Sequence, residues 1–172
     1  MSLPLVTGVI LAGGASSRMG VDKAEVQIRG VRMLDHMRDI LKHAGINHIN
    51  VLGRPSEPGG IPDTEPHTGP AIGLWHYLRI QPENSRHLIV PVDMPNLDTA
   101  IINQLIEQRQ WAYYNQNPLP LLAIASSETT TDRPLTIRAL LQAHNAISLP
   151  LPESAKTVFA NINTVSDLAK WQ

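Results

Sequence analysis

Between Leu11 and Lys23 the chain reads LAGGASSRMGVDK, directly after the apolar run VTGVI. Neither Gly13 nor Gly14 carries a Cβ, so backbone amides there can approach a ligand closely. Ser16 and Ser17 add hydroxyl donors, Arg18 a planar fork matched to phosphate oxygens, and Lys23 a mobile point charge. The chemistry on offer is the holding of a phosphorylated ligand. Two familiar phosphate loops are absent. G-x-G-x-x-G needs spaced glycines, whereas 13 and 14 are adjacent, and G-x-x-x-x-G-K-[ST] needs a lysine after Gly20, where Val21 stands. Taken alone, two adjacent glycines after a strand describe a tight turn with surface charges more readily than a ligand loop.

Further candidates lie after other apolar runs. Asp93 ends HLIVPV, and one aspartate in such a place can hold Mg²⁺, which prefers carboxylate, water and phosphate oxygens to an all-protein cage. Asp-x-Pro is also an ordinary turn or helix-cap pattern. Asp63 alone reads as a solvated loop residue. Gly69 to Leu74 opens a helix whose early amides can face an anion, although Pro70 at the first helical position has a purely local explanation. Asn161 and Asn163 alternate, so both face one side with Ile162 on the other, and their local role would be to cap the last helix with Thr164. The seven histidines show no metal-ligand spacing: His36 and His43 share a helix but lack a third ligand. They read as surface or satisfied residues, and Trp75, Trp111, Trp171 and Phe159 as core or edge residues.

The elements that must position these residues follow from periodicity. Val6 to Leu11 is β-branched and apolar, as in a strand buried on both faces. Glu25 to Ile28 alternates and Arg29-Gly30 turns the chain. Residues 32–44 carry Leu34, Met37, Ile40 and Leu41 at helical spacing, with Gly45 as a stop. Strands are expected over Ile46–Leu52, His87–Val92, Trp111–Tyr114, Pro120–Ala125 and Val158–Phe159. Helices are expected over Pro70–Arg79, Thr99–Arg109, Leu135–His144 and Val165–Trp171. Residues 53–68 hold four prolines and three glycines, an irregular segment of the kind that is functional or disordered. Strands alternating with helices imply an α/β fold of three layers, doubly wound around a mostly parallel sheet with Rossmann-like nucleotide-binding topology, in a single domain over 1–172. Ligands of such sheets bind beyond the carboxyl ends of the strands, where Gly13 and Asp93 fall.

The totals exclude several classes. With 172 residues, 42% hydrophobic and 17% charged, the chain suits one globular domain. A net charge of −1 offers no global field for nucleic acid, and the absence of cysteine removes disulfides and thiolate chemistry. No apolar run spans a bilayer and no signal core opens the chain, so the expected location is cytoplasmic, without membrane or nucleic-acid partners.

LAGG-x-S-S-R-M-G-x-D-K resembles the signature of the molybdenum cofactor guanylyltransferase family, which joins GMP to molybdopterin. DTEPHTGPAIGL, HLIVPVDMPNL and FANINTVSDL are similar to later family motifs, so the resemblance runs in order from residue 9 to 168 and is weakest over 111–149. It implies a nucleotidyltransferase with Arg18, Lys23 and Asp93 as catalytic residues. Leu11, Ala12, Gly13, Gly14, Ser16, Lys23, Asp63 and Asp93 would bind the nucleotide, with Asp63 at the guanosine part. Asn161 and Asn163 would lie on the acceptor side, and Asp93 would hold Mg²⁺. The implied donor is GTP, which LAGG favours within the family. The implied acceptor is molybdopterin or Mo-molybdopterin, and proteins of molybdoenzyme maturation are implied partners. The chain departs from the pattern at Ala24-Glu25-Val26, Val31-Arg32-Met33, Leu52-Gly53-Arg54 and Thr68. Transfer from CTP or onto a sugar phosphate, and nucleotide binding without catalysis, remain as alternatives.

Overall fold

A computed structural model describes residues 5–13, 22–126, 132–152 and 157–169. In chain order the first half comprises β1 (Val6–Leu11), β2 (Gln27–Ile28), β3 (Val31–Arg32), α1 (Met33–His43), β4 (Ile49–Leu52), β5 (Gly60–Ile61) and α2 (Pro70–Arg79). The second half comprises β6 (Arg86–Pro91), α3 (Thr99–Ile106), β7 (Ala112–Tyr114), β8 (Asn117–Ile124), α4 (Ile137–Ala143), β9 (Ile147–Leu149) and α5 (Val165–Ala169). The main sheet has seven strands in the order β5-β4-β1-β6-β8-β7-β9, and β2 and β3 form a separate hairpin. β4, β5, β1 and β6 run parallel, whereas β8 is antiparallel to both its neighbours and β9 is again parallel to β7.

Two apolar layers explain the sandwich. Alternate residues of one strand face opposite sides. Ile10, Leu88, Val90 and Leu122 therefore pack under α1 and α3, while Val9, Ile89, Leu121 and Ala123 pack under α2 and α4. The doubly wound, three-layer expectation holds. Local signals set the helix ends. At Gly45 (φ 82°) the amide of Ile46 reaches the carbonyl of Leu41 at 3.0 Å and that of Gly45 reaches Lys42 at 2.9 Å, a Schellman stop for α1. Asp98 accepts from the Ile101 amide and Thr136 from that of Ala139, capping α3 and α4.

Several expectations need correction. Val158–Phe159 is a turn rather than a strand, because Val158 drops into the core beneath the sheet while Phe159 meets Tyr114 edge-to-face at 5.4 Å. β5 and β9 were not expected: each is very short and exists through its pairing partner alone. β8 begins at Asn117, three residues ahead of the expected Pro120, because Tyr114 pairs with Asn117 directly. The expected end of the closing helix, with Trp171, lies outside the described residues. Among those described, no helix is long and apolar enough to cross a membrane.

Away from the carboxyl ends of the strands, a buried polar chain joins both neighbours of β1 to α2. The Ser85 hydroxyl lies 2.6 Å from the carbonyl of Pro82, which can only accept, so its single proton goes there. His87 Nε2, 2.8 Å from Ser85 Oγ, must then donate to it. Nδ1 is left as acceptor for the Tyr77 hydroxyl at 3.1 Å, and that oxygen accepts from Asn50 Nδ2 at 2.9 Å. His87 is 2% exposed, and burial, helped by nearby His48, pushes its pKa down to about 4. It is a satisfied core histidine, as the sequence implies.

Candidate functional site

The register brings three strand ends level: Leu11 pairs with Leu52 on one side and Pro91 on the other. Beyond that line the chain of each strand peels away, and a cleft of about 350 Å³ opens. Its walls come from the end of β1 (Leu11 to Gly13), residues 22–24, the loop after β5, the start of α2, and the end of β6 through Asp93. The cleft lies where open α/β sheets receive ligands.

Asp93 follows β6 by two residues, with its carbonyl held by the Ile162 amide at 2.9 Å. Its side chain is not a helix cap, a role taken by Asp98. Instead Asp93 Oδ2 accepts from Lys23 Nζ at 2.6 Å, and the same ammonium reaches Asn163 Oδ1 at 2.8 Å. Three residues separated by up to 140 positions thus meet at one edge of the cleft. Lys23 and Asp93 are 21% and 15% exposed, so this pair is neither fully solvated nor sealed. Asn161 and Asn163 are both exposed, with Ile162 buried between them. The last helix is capped by Thr164 and Asp167 in reciprocal bonds, which leaves the Asn163 side chain to Lys23.

Asp63 stands at the opposite wall. Its carboxylate packs so tightly on Gly13 that any Cβ there would collide with it, and its Oδ1 lies 3.0 Å from where a Gly73 Cβ would sit. Gly13 also abuts Gly53, so both glycines are required for close approach of two backbones. Burial raises the Asp63 pKa, offset in part by His67. α2 begins at Gly69 (φ 91°) with Pro70 at its first position, and Gly73 faces the cleft.

Leu11, Ala12, Gly13, Lys23, Asp63 and Asp93 therefore line one cleft, with Asn163 bonded to its lysine. Gly14, Ser16, Ser17 and Arg18 lie outside the described residues. The sequence singled out neither Glu65 nor His67, both in the proline-rich segment whose length was the signal, nor Leu119 at the start of β8. Glu65 is tied to His76 of α2 at 2.9 Å and to Arg133. Nothing local marks Leu119, because its position depends on the reversed direction of β8. The remaining histidines give no metal centre: His36 bonds the Pro95 carbonyl, His43 that of Asp39, and His144 stacks on Trp111 at 4.0 Å. Among the described residues no three metal-ligating side chains cluster. On the Lys23 side of the cleft the carboxylate of Asp93 stands apart from those of Asp63 and Glu65 on the other wall, with its Oδ2 already bonded to Lys23. This fits a Mg²⁺ ion that takes most of its oxygens from phosphate and water.

A family model, the MobA-like NTP transferase domain, matches residues 8–159. The chain belongs to this family. A molybdenum cofactor guanylyltransferase from Xanthomonas euvesicatoria pv. vesicatoria is 33% identical, with 92% of this chain and 89% of that protein covered. A protein of the same name from Sinorhizobium fredii is 31% identical, over 93% of this chain and 87% of its own. Among solved structures, the molybdopterin-guanine dinucleotide biosynthesis protein A of Archaeoglobus fulgidus superposes with a TM-score of 0.72, covering 95% of each chain at 20% identity. That likeness speaks for the fold. The MobA-like match spans both walls of the cleft and ends before Asn161 and Asn163, so the amide that completes the Lys23 contact lies beyond the family model.

Proposed function

We propose that this MobA-like chain, as a single nucleotidyltransferase domain over 1–172, transfers GMP from Mg-GTP to the phosphate of molybdopterin or Mo-molybdopterin. The contact of Lys23 with Asp93 at the edge of the cleft carries the reading, because a cation beside a carboxylate suits a triphosphate and its Mg²⁺. The names of the relatives support the guanine and molybdopterin assignments. A terminal phosphate oxygen of the acceptor forms a bond to the α-phosphorus. The bond from that phosphorus to the bridging oxygen breaks in line, and pyrophosphate leaves with the electron pair. The attacking oxygen is already anionic near neutral pH, so no general base is required. The cleft accordingly needs position and charge rather than a proton relay.

In this reading Leu11, Ala12 and Gly13 present backbone to the nucleotide, and Asp63 meets the guanosine part. Gly14, Ser16 and Arg18 add donors and charge to the phosphates. Lys23 holds the β and γ oxygens, and Asn161 and Asn163 orient the acceptor. Mg²⁺, held by Asp93, would supply charge neutralisation along the triphosphate when bound. Delivery to proteins of molybdoenzyme maturation and a cytoplasmic setting belong to the same proposal.

Thermal melts with GTP, CTP or ATP, each with Mg²⁺, test it. A ligand at a hundred times its Kd stabilises by about 2.7 kcal/mol. Selective stabilisation by Mg-GTP, weakened in Asp93→Asn, is expected. Preference for CTP would move the chain to cytidylyl transfer, and no response to any triphosphate would overturn the reading.

A further inference from the structure

Arg54 follows β4 and Gly53, in the turn where the chain departs from the family pattern. It does not line the cleft. Its guanidinium nevertheless reaches two separate parts of the cleft wall at once. Nε donates to the Ala12 carbonyl at 3.2 Å, and Nη2 is bonded to the Asp22 carboxylate. Nη1 lies 3.5 Å from Glu25 Oε1.

Asp22 is itself the organiser of the turn that carries Lys23. Its Oδ1 accepts from the Ala24 amide at 3.1 Å and its carbonyl accepts from the Glu25 amide at 3.0 Å. A single planar group thus ties residue 12, beside the glycines, to residue 22, beside the lysine. Nε and Nη2 sit in a rigid fork, so the two bonds hold the two parts of the wall at a set separation. An ammonium at this position can serve one partner or wander between them.

Behind this group the network continues. Arg32 bonds Glu25, Asp35 and Glu57, and Glu57 also meets Arg38. The hairpin, α1 and the loop after β4 are therefore braced by the same charges. Exposed ion pairs contribute little to stability as a rule. Arg54, at 21% exposure with a backbone carbonyl among its partners, is better placed to fix geometry than to hold the fold.

We propose that Arg54 is a positioning residue: it sets the distance between Ala12–Gly13 and Lys23, and so the reach between the nucleoside and phosphate ends of the bound nucleotide. This rests on the nucleotide reading of the cleft.

The test compares wild type with Arg54→Lys, Arg54→Met and Asp22→Asn. Two readouts are used: amide hydrogen exchange at Ala24 and Glu25 in the ligand-free protein, and Mg-GTP affinity by calorimetry. Arg54→Met is expected to speed exchange at both amides and to weaken Mg-GTP by about tenfold, with Arg54→Lys intermediate. Combining Arg54→Met with Asp22→Asn should add little, because Asp22→Asn keeps an acceptor oxygen but removes the charge that Arg54 pairs with, so both changes weaken the same link. If Arg54→Met lowers the melting temperature by many degrees, Asp22→Asn, which leaves Arg54 on Ala12, carries the comparison. Wild-type affinity in Arg54→Met and Asp22→Asn, or unchanged exchange at Ala24 and Glu25, would overturn the proposal. Failure of wild type itself to bind Mg-GTP would instead overturn the nucleotide reading, and exchange would still report whether Arg54 holds the two parts together.

Discussion

Two polar clusters share the sheet and are built on opposite terms. Around His87, the donors and acceptors of Ser85, Tyr77 and Asn50 form one directed chain inside the core. Around Lys23 and Asp93, charged groups remain partly exposed, and across the cleft Asp63 is pressed against glycines with burial opposing its charge. The first cluster has matched its own groups and closed its centre, His87 and Tyr77, to solvent. The second keeps charge at an open cleft. One arrangement suits stability and the other suits a ligand, and substitutions should sort accordingly.

The largest expected effect is at the cleft. Lys23→Ala should lower turnover at least a hundredfold, about 2.7 kcal/mol in barrier, while the melting temperature moves little. Steady-state rates beside a melt check this, and undiminished turnover would erase the contrast from one side. Tyr77→Phe tests the other side. It strands Asn50 Nδ2 and His87 Nδ1 in the core, so unfolding in urea should show a loss of about 1–3 kcal/mol with Mg-GTP affinity unaltered.

Acid sharpens the same contrast. His87 titrates near 4 when folded and near 6.5 when unfolded. Between these values the unfolded chain binds the extra proton, so stability is present above about 6.5 and drains as pH falls towards 4. By pH 5.5 the loss from this group is about 1.4 kcal/mol, and His87→Gln should flatten that part of the stability–pH curve. The smallest effect has the opposite sign. Asp63→Asn removes a carboxylate whose charge burial disfavours, so the melting point should rise slightly, by about 0.5 kcal/mol in stability, as nucleotide affinity falls. A destabilised Asp63→Asn would show that this carboxylate supports the fold.

The layers were legible from the sequence because the continuous apolar runs of β1 and β6 and the 3.6 period of α1, α2 and α3 survive without help from distant residues. β5 and β9 were not, since two or three residues carry no period, and Gly60 or Ser148 becomes a strand residue through its neighbour alone. Val158–Phe159 misled because apolar character fixes burial and not backbone direction. At the site, Gly13, Lys23 and Asp93 could be singled out by type and by place after a strand, whereas Asp63 came from the family resemblance alone. The bond from Lys23 to Asn163 and the reach of Arg54 to Ala12 and Asp22 could not, being products of chain crossings that no local pattern encodes.

β8 runs against its neighbours, so it meets the cleft with its beginning rather than its end. Leu119 and Pro91 both join the cleft wall, and just ahead of β8 the chain turns tightly at Asn115–Gln116. A hairpin turn can be lengthened without rethreading a sheet. The molecule therefore carries, on the β8 side of the cleft, a wall whose height an insertion ahead of Leu119 would change while the β1 side stays as it is.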